Sequence, residues 1–161
     1  MQGPPPLEPF GLVLHHDGRF THEGHLITNR KLRERFDRAV RFLSAEQKFV
    51  VQVGRFRGEV EVEEAGFFVR SFDPETGRLS LSDGGEERLD VSSLRASAID
   101  GALLCTVKRD LLPGGLLARF HHAAHAAVMN AVAPDGEELI VGDARAPLPD
   151  LDAASPGSPG S

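Results

Sequence analysis

Short apolar, β-rich runs separated by turn signals recur along the chain, with strict alternation at residues 59–63, and helical spacing replaces them in two places. Gly11 to Leu14 is a short apolar run, and His16-Asp17-Gly18-Arg19 is a hairpin turn signal. Phe20 to Ile27 returns from it, with Glu23-Gly24 as a second turn. Thr28 or Asn29 is a good helix N-cap. Beyond it Leu32, Phe36, Ala39, Val40 and Leu43 fall on one stripe, which predicts an amphipathic helix over roughly 29–43. Phe49-Val50-Val51-Gln52-Val53 is rich in β-formers, and Val60 and Val62 alternate with Glu59, Glu61 and Glu63 as in a strand with one wet face.

Phe67 to Phe72 is the next strand, closed by Asp73-Pro74-Glu75-Thr76-Gly77, where Pro presets φ and Gly supplies a positive φ. Leu79 and Leu81 start its partner, and Asp83-Gly84-Gly85 turns again. Leu89 and Val91 make a short strand, and Ala102 to Val107 makes another. After Pro113-Gly114-Gly115, Leu116 to Val132 is predicted as a second amphipathic helix with Leu116, Leu117, Phe120, Ala124, Ala127, Val128 and Ala131 as its stripe. Pro134-Asp135-Gly136 ends it, and Leu139-Ile140-Val141 adds a last strand. The expected class is α+β, an antiparallel meander with two amphipathic helices. Residues 1–9 are Pro-rich and read as a disordered or extended head. From Ala144 onward, Pro147, Pro149, Pro156 and Pro159 among Ser and Gly read as a flexible tail, which leaves 10–143 as one folded domain.

At 161 residues the chain is long enough for one domain with a real core. It has no Trp or Tyr, so ten Phe supply the bulk of that core. A single cysteine, Cys105, cannot form an internal disulfide, and a cytoplasmic, reducing compartment is the simplest fit. The opening Met-Gln-Gly-Pro-Pro-Pro has neither a basic nor an apolar region of the kind a secretory signal needs. No apolar run approaches the ~18 residues of a membrane span.

Charge changes the picture more than composition does. The net charge is −6, yet residues 30–57 carry nine basic groups, Arg30, Lys31, Arg33, Arg35, Arg38, Arg41, Lys48, Arg55 and Arg57, against Glu34, Asp37 and Glu46. That window is +6 and the rest of the chain −12. Such asymmetry marks either an anion-facing surface or a solvated helix face beside an acidic strand.

Candidate chemistry is sparse. His15, His16, His22 and His25 bracket the first hairpin, and His121, His122 and His125 lie on the second predicted helix. There His121 and His125 stand at i, i+4, a spacing that can share a metal ion, but residues 122–124 lack the Glu of a zinc hydrolase helix. Cys105 sits among Leu103, Leu104 and Val107, where a thiol is a small core group rather than a nucleophile. Pro113-Gly114-Gly115 precedes a predicted helix without the Lys-Ser/Thr of a phosphate loop, and reads as a turn. Glu59, Glu61, Glu63 and Glu64 form an acidic strand edge facing water. No cofactor is expected.

The two helices share a pattern. Leu32-x-x-Arg35-Phe36-x-x-Ala39 matches Leu116-x-x-Arg119-Phe120-x-x-Ala123, either as a duplication with halves 10–58 and 59–143 or as convergent helix patterning. The run Asp17-Gly18-Arg19-Phe20-Thr21-His22-Glu23-Gly24, then Ile27, then Val60-Glu61-Val62-Glu63-Glu64-Ala65-Gly66-Phe67, resembles the bacterial family called domain of unknown function 1285. That family has a similar Asp-Gly hairpin and a Val-Glu-Asp-x-Pro-Phe-like strand, and here Ala65-Gly66 stands for its small-Pro pair. Leu79-Ser80-Leu81 with Gly84-Gly85, and Leu117-x-Arg119, also look like uncharacterised protein family 0598. The resemblance to the first family implies a duplicated α+β core, a C-terminal half with likeness to pleckstrin-homology folds, and a cleft between halves that takes a partner. It carries over no catalytic residue.

The favoured expectation is a non-enzymatic binding or adaptor protein that takes an acidic protein partner through Arg30, Lys31, Arg35, Arg38 and Arg41, with Arg55 and Arg57 nearby. The alternative is a metal-dependent enzyme using His121 and His125. A third reading is RNA or DNA binding through the basic helix, with Phe alone available for base stacking.

Overall fold

A computed structural model of the protein describes residues 8–53 and 56–151. Three strands come first, β1 (Glu8–Leu14), β2 (Phe20–His22) and β3 (His25–Leu26), followed by α1 (Arg30–Ala39). Then come β4 (Val40–Leu43), β5 (Lys48–Val53) and β6 (Phe56–Val62). These strands form one sheet in the order β3-β2-β1-β6-β5-β4. The second sheet is made by β7 (Phe67–Asp73), β8 (Arg78–Leu81), β9 (Glu86–Arg88), β10 (Arg95–Ala96), β11 (Leu103–Val107) and β12 (Leu116–Phe120), with a 3₁₀ turn at Val91–Ser93. Its order is β10-β11-β12-β7-β8-β9. A second helix, α2 (His122–Asn130), and a hairpin, β13 (Glu138–Val141) with β14 (Ala144–Pro147), complete the chain. The class is α+β, as expected.

Each sheet is two three-stranded meanders joined through the first strand of one and the last of the other. β1 runs parallel to β6, and β7 parallel to β12. The expected all-antiparallel meander is therefore corrected at the centre of both sheets. Turn signals specify which strands pair along the sequence. The central joins carry no such signal; there Leu12, Leu14 and Val60, at most 4% exposed, share the one face of β1 and β6 that the core covers.

Asn29 starts α1, its Oδ1 accepting the Leu32 N–H at 3.0 Å. We expect Asn29→Ala to lower stability by about 1 kcal/mol, read as a shift of the urea midpoint. The helix stops at Ala39 rather than running to 43. Val40 and Phe42 are buried on one face of β4, opposite Val51 and Phe49, so strand pairing overrides the helical stripe. Arg41 Nη1 donates to Arg38 O at 2.7 Å and to Val40 O at 2.9 Å, closing carbonyls the helix leaves open. Phe36 fixes α1 to the sheet through an edge contact with Phe20, ring centroids 5.7 Å apart.

The second helix differs more. Leu116 to Phe120 is strand, with Leu116, Ala118 and Phe120 buried and Leu117 and Arg119 less so. Leu and Ala favour helix, but this segment lies mid-sheet between β11 and β7, and that position decides. Helix begins only at the Ala-rich run after His121. The motif matched to α1 thus spans a strand and a helix start, so its two copies are not equivalent in structure. Pro113-Gly114-Gly115 is a turn between strands. The folded part also extends past 143, because Gly142, at φ 58°, and Asp143 turn β13 into β14. The head up to residue 7 and the tail from 152 lie outside the described residues.

One buried cluster runs through both sheets, and a file of rings joins them. Phe42 meets Phe49 at 5.1 Å, and Phe49 meets Phe67 at 6.0 Å. Gly66 is placed under this file. A Cβ there would lie 2.8 Å from Phe49 Cδ1, which excludes the Pro of the resembled motif.

Candidate functional site

The exposed residues of α1 are rich in cations. Lys31, Arg33, Arg35 and Arg38 are exposed and make no ion pair among the described residues. Both acids of the helix are occupied, Glu34 by Arg30 at 3.2 Å and Asp37 by Arg70 of β7 at 2.7 Å. At 3.6 residues per turn, Lys31, Arg35 and Arg38 fall within about 60° of one another over about 10 Å of axis. Arg41 is exposed, with its guanidinium on the end of α1. Arg57 is half-buried in β6 and engaged in an interaction, and Arg55 lies outside the described residues.

Beside this face runs a groove of about 230 Å³ between the two halves. The first hairpin supplies Asp17, Gly18 and Arg19, α1 supplies Arg33, Glu34 and Asp37, and the second half supplies Phe68 and His121. Arg19 Nε is paired with Asp17 Oδ2 at 2.7 Å. The His121 ring stacks on Phe68, centroids 5.4 Å apart and planes 14° from parallel. Burial holds the imidazole below its ordinary value, against the pull of Asp37. Burial also raises Asp37, although Arg70 opposes it.

His121 is the N-cap of α2, with extended backbone at ψ 160° and no side-chain capping bond. It therefore leaves the helix face on which i, i+4 spacing would align it with His125, which is half-buried one turn on. No group of three or more His, Cys, Asp or Glu that could hold a metal ion is found among the described residues. In the first hairpin His15 Nε2 meets Thr21 Oγ1 at 2.9 Å. Cys105 is fully buried, and burial pushes its thiol up to about 12, which suits a core group.

A second charged cluster joins residues that no local motif links, His16, Glu63, Glu64, Ser97, Asp100 and Arg119. His16 meets Glu63 Oε1 through its backbone N–H at 2.7 Å and Nδ1 at 2.6 Å, and its Nε2 lies 3.8 Å from Asp100. Arg119 grips both oxygens of Asp100, at 3.1 and 2.6 Å. Glu64 Oε2 accepts from Ser97 Oγ at 2.7 Å, while its buried Oε1 has no hydrogen bond and lies 3.7 Å from Arg119 Nη1. Glu63 and Glu64 read as a wet strand edge because alternation reports which face a residue is on, not what covers it.

No helix among the described residues is long and apolar enough to cross a membrane. No family model matches the chain, and no curated protein matches it. Among solved structures it is similar to a DUF1285 family protein from Silicibacter pomeroyi, at 14% identity and a TM-score of 0.57 over 95% of this chain and 91% of that one. A DUF1285 family protein from Shewanella baltica has 16% identity and a TM-score of 0.49 over 75% of this chain and 91% of that one. The resemblance read from Asp17–Gly24 and Val60–Phe67 thus has a counterpart in three dimensions, and the chain has the fold of the Silicibacter pomeroyi DUF1285 family protein.

Proposed function

We propose that this is a non-enzymatic binding protein that docks an acidic protein partner on the exposed face of α1. One observation carries the reading. The two acids of α1 are already paired, whereas Lys31, Arg33, Arg35 and Arg38 are not. A concentrated positive face on a chain of net charge −6 steers an acidic partner to one orientation. Arg30 and Arg41 contribute charge while also serving the helix. The like order of the two sheets supports a duplicated unit, with the join at residues 63–66 between β6 and β7 rather than between 58 and 59, which fall inside β6. Strands followed by α2 are the element order that a pleckstrin-homology-like C-terminal half calls for. The lone, buried cysteine suits a cytoplasmic setting.

The test is fluorescence anisotropy with a labelled glutamate-rich peptide and a single-stranded oligonucleotide of matched charge. The peptide should bind, and Arg35→Glu with Arg38→Glu should weaken it by about tenfold or more at low salt. Unchanged affinity in that double variant removes the proposal. Tighter binding of the oligonucleotide, falling steeply with salt, puts nucleic acid in the partner's place.

A further inference from the structure

We infer that the groove between the halves is an anion subsite that seats one carboxylate side chain of the acidic partner, with His121 coupling that grip to a proton. The inference rests on the docking of such a partner at α1. It concerns a separate set of residues, of which only Arg33 also belongs to the unpaired cations of the helix.

Size limits the occupant first. At about 230 Å³ the groove is smaller than the about 300–1,000 Å³ of small-molecule and cofactor pockets. It has room for a side chain of the partner, and Glu34, about 40° round α1 from Arg38, borders both the groove and the basic face, so a segment lying on that face stands beside the groove. Charge decides what kind of side chain. The acids on the wall are each taken, Asp17 by Arg19, Glu34 by Arg30 and Asp37 by Arg70. Arg33 is the cation left over, so the groove and its ion-pair partners carry one net positive charge while His121 is neutral.

His121 makes that balance adjustable. The groups facing it are Asp37, Glu34 and Arg33 from α1, Asp17 and Arg19 from the hairpin turn, Phe68 and Arg70 from β7, and Arg119 from β12. Burial favours the neutral ring, and Arg70 and Arg119 act in the same direction. A carboxylate seated beside the ring acts in the other direction, so it raises the affinity of His121 for a proton. By linkage the proton raises the affinity for the carboxylate by the same factor. Protonation doubles the net positive charge of the groove.

The experiment uses the full chain and the labelled glutamate-rich peptide between pH 7.5 and 5.5, where its carboxylates stay ionised. Wild-type protein should bind on the order of fivefold tighter at the lower pH, and the His121 ring, followed by NMR, should titrate at a higher pH with peptide bound. His121→Asn should flatten the pH dependence, and Arg33→Gln should weaken binding at both ends of the range. Asn is a favoured N-cap, so the first variant keeps the start of α2. If His121→Asn keeps the full pH dependence, or the peptide leaves the His121 titration unmoved, the subsite is overturned. If Arg35→Glu with Arg38→Glu abolishes binding while Arg33→Gln and His121→Asn change nothing, the subsite falls and the helix face stands. Absence of peptide binding at every pH removes both.

Discussion

Arg119→Ala should lower the free energy of unfolding by about 3 kcal/mol, toward the low end of what removing one partner from a buried charged pair costs. The side chain is 14% exposed and serves two carboxylates that arrive from different parts of the chain. Asp100 comes from the loop between β10 and β11, and Glu64 from the link between the two sheets. Truncation leaves Glu64, whose side chain is 10% exposed, with Ser97 as its remaining hydrogen-bond partner and no other ion pair among the described residues. Arg119→Lys keeps the charge but loses the two-pronged grip on Asp100, and should recover part of the loss. Urea unfolding of the three proteins ranks them, and equal midpoints for wild type and Arg119→Ala refute the assignment.

The same network gives a signed dependence on pH. The Arg119 hydrogen bonds, helped by the Ala102 N–H and opposed by burial, hold the Asp100 carboxyl down to about 2, from an ordinary 3.8. A carboxylate whose folded value is depressed lends stability that is whole above its unfolded value and lost as pH falls through its folded value. Stability from this group should therefore decline between about pH 4 and pH 2. Asp100 is 35% exposed, so solvent screens the effect to on the order of 1 kcal/mol. In Arg119→Ala the first cause is gone, and the slope of the urea midpoint over that range should flatten.

What could be read from the residues alone follows a physical line. Hairpins written as local turns were legible. Glu23-Gly24 turns β2 into β3 with both residues at positive φ, and Asp73 to Gly77 turns β7 into β8. The strand Val60 to Val62 was equally plain, as was the start of α1 at Asn29. Long-range joins were not. Nothing in β1 points to β6, or in β7 to β12, because parallel neighbours far apart in sequence share no turn. Leu116 to Phe120 has apolar residues that satisfy both periods, and its central place in the sheet settled the matter. The basic face was legible for a related reason, since charge on a short helix is a local property. The groove was not, because its wall is assembled from the first hairpin, α1, β7 and the cap of α2.

Phe67→Ala should be the costliest single truncation of the core, at about 4 kcal/mol. Phe67 is 1% exposed and opens β7, opposite Ala118 of β12, in the middle of the second sheet. Its ring also reaches the first sheet, meeting Phe49 at 6.0 Å. Deleting it leaves a cavity where the two sheets touch, and the surroundings can collapse little because both neighbouring strands are fixed by pairing. A third partner adds to the cost. Lys108 Nζ lies 5.3 Å from the ring centroid while paired with Asp83 at 2.6 Å, and the two side chains are 16% and 10% exposed. Without the ring the largely buried lysine side chain loses its apolar support and a cation–π contact of about 1 kcal/mol. Lys108→Met separates these contributions. If the ring acts on the ammonium as well as on Phe49, a double-mutant cycle between Phe67→Ala and Lys108→Met should give a coupling of roughly 1 kcal/mol, and a coupling near zero assigns the whole cost to the cavity between the sheets.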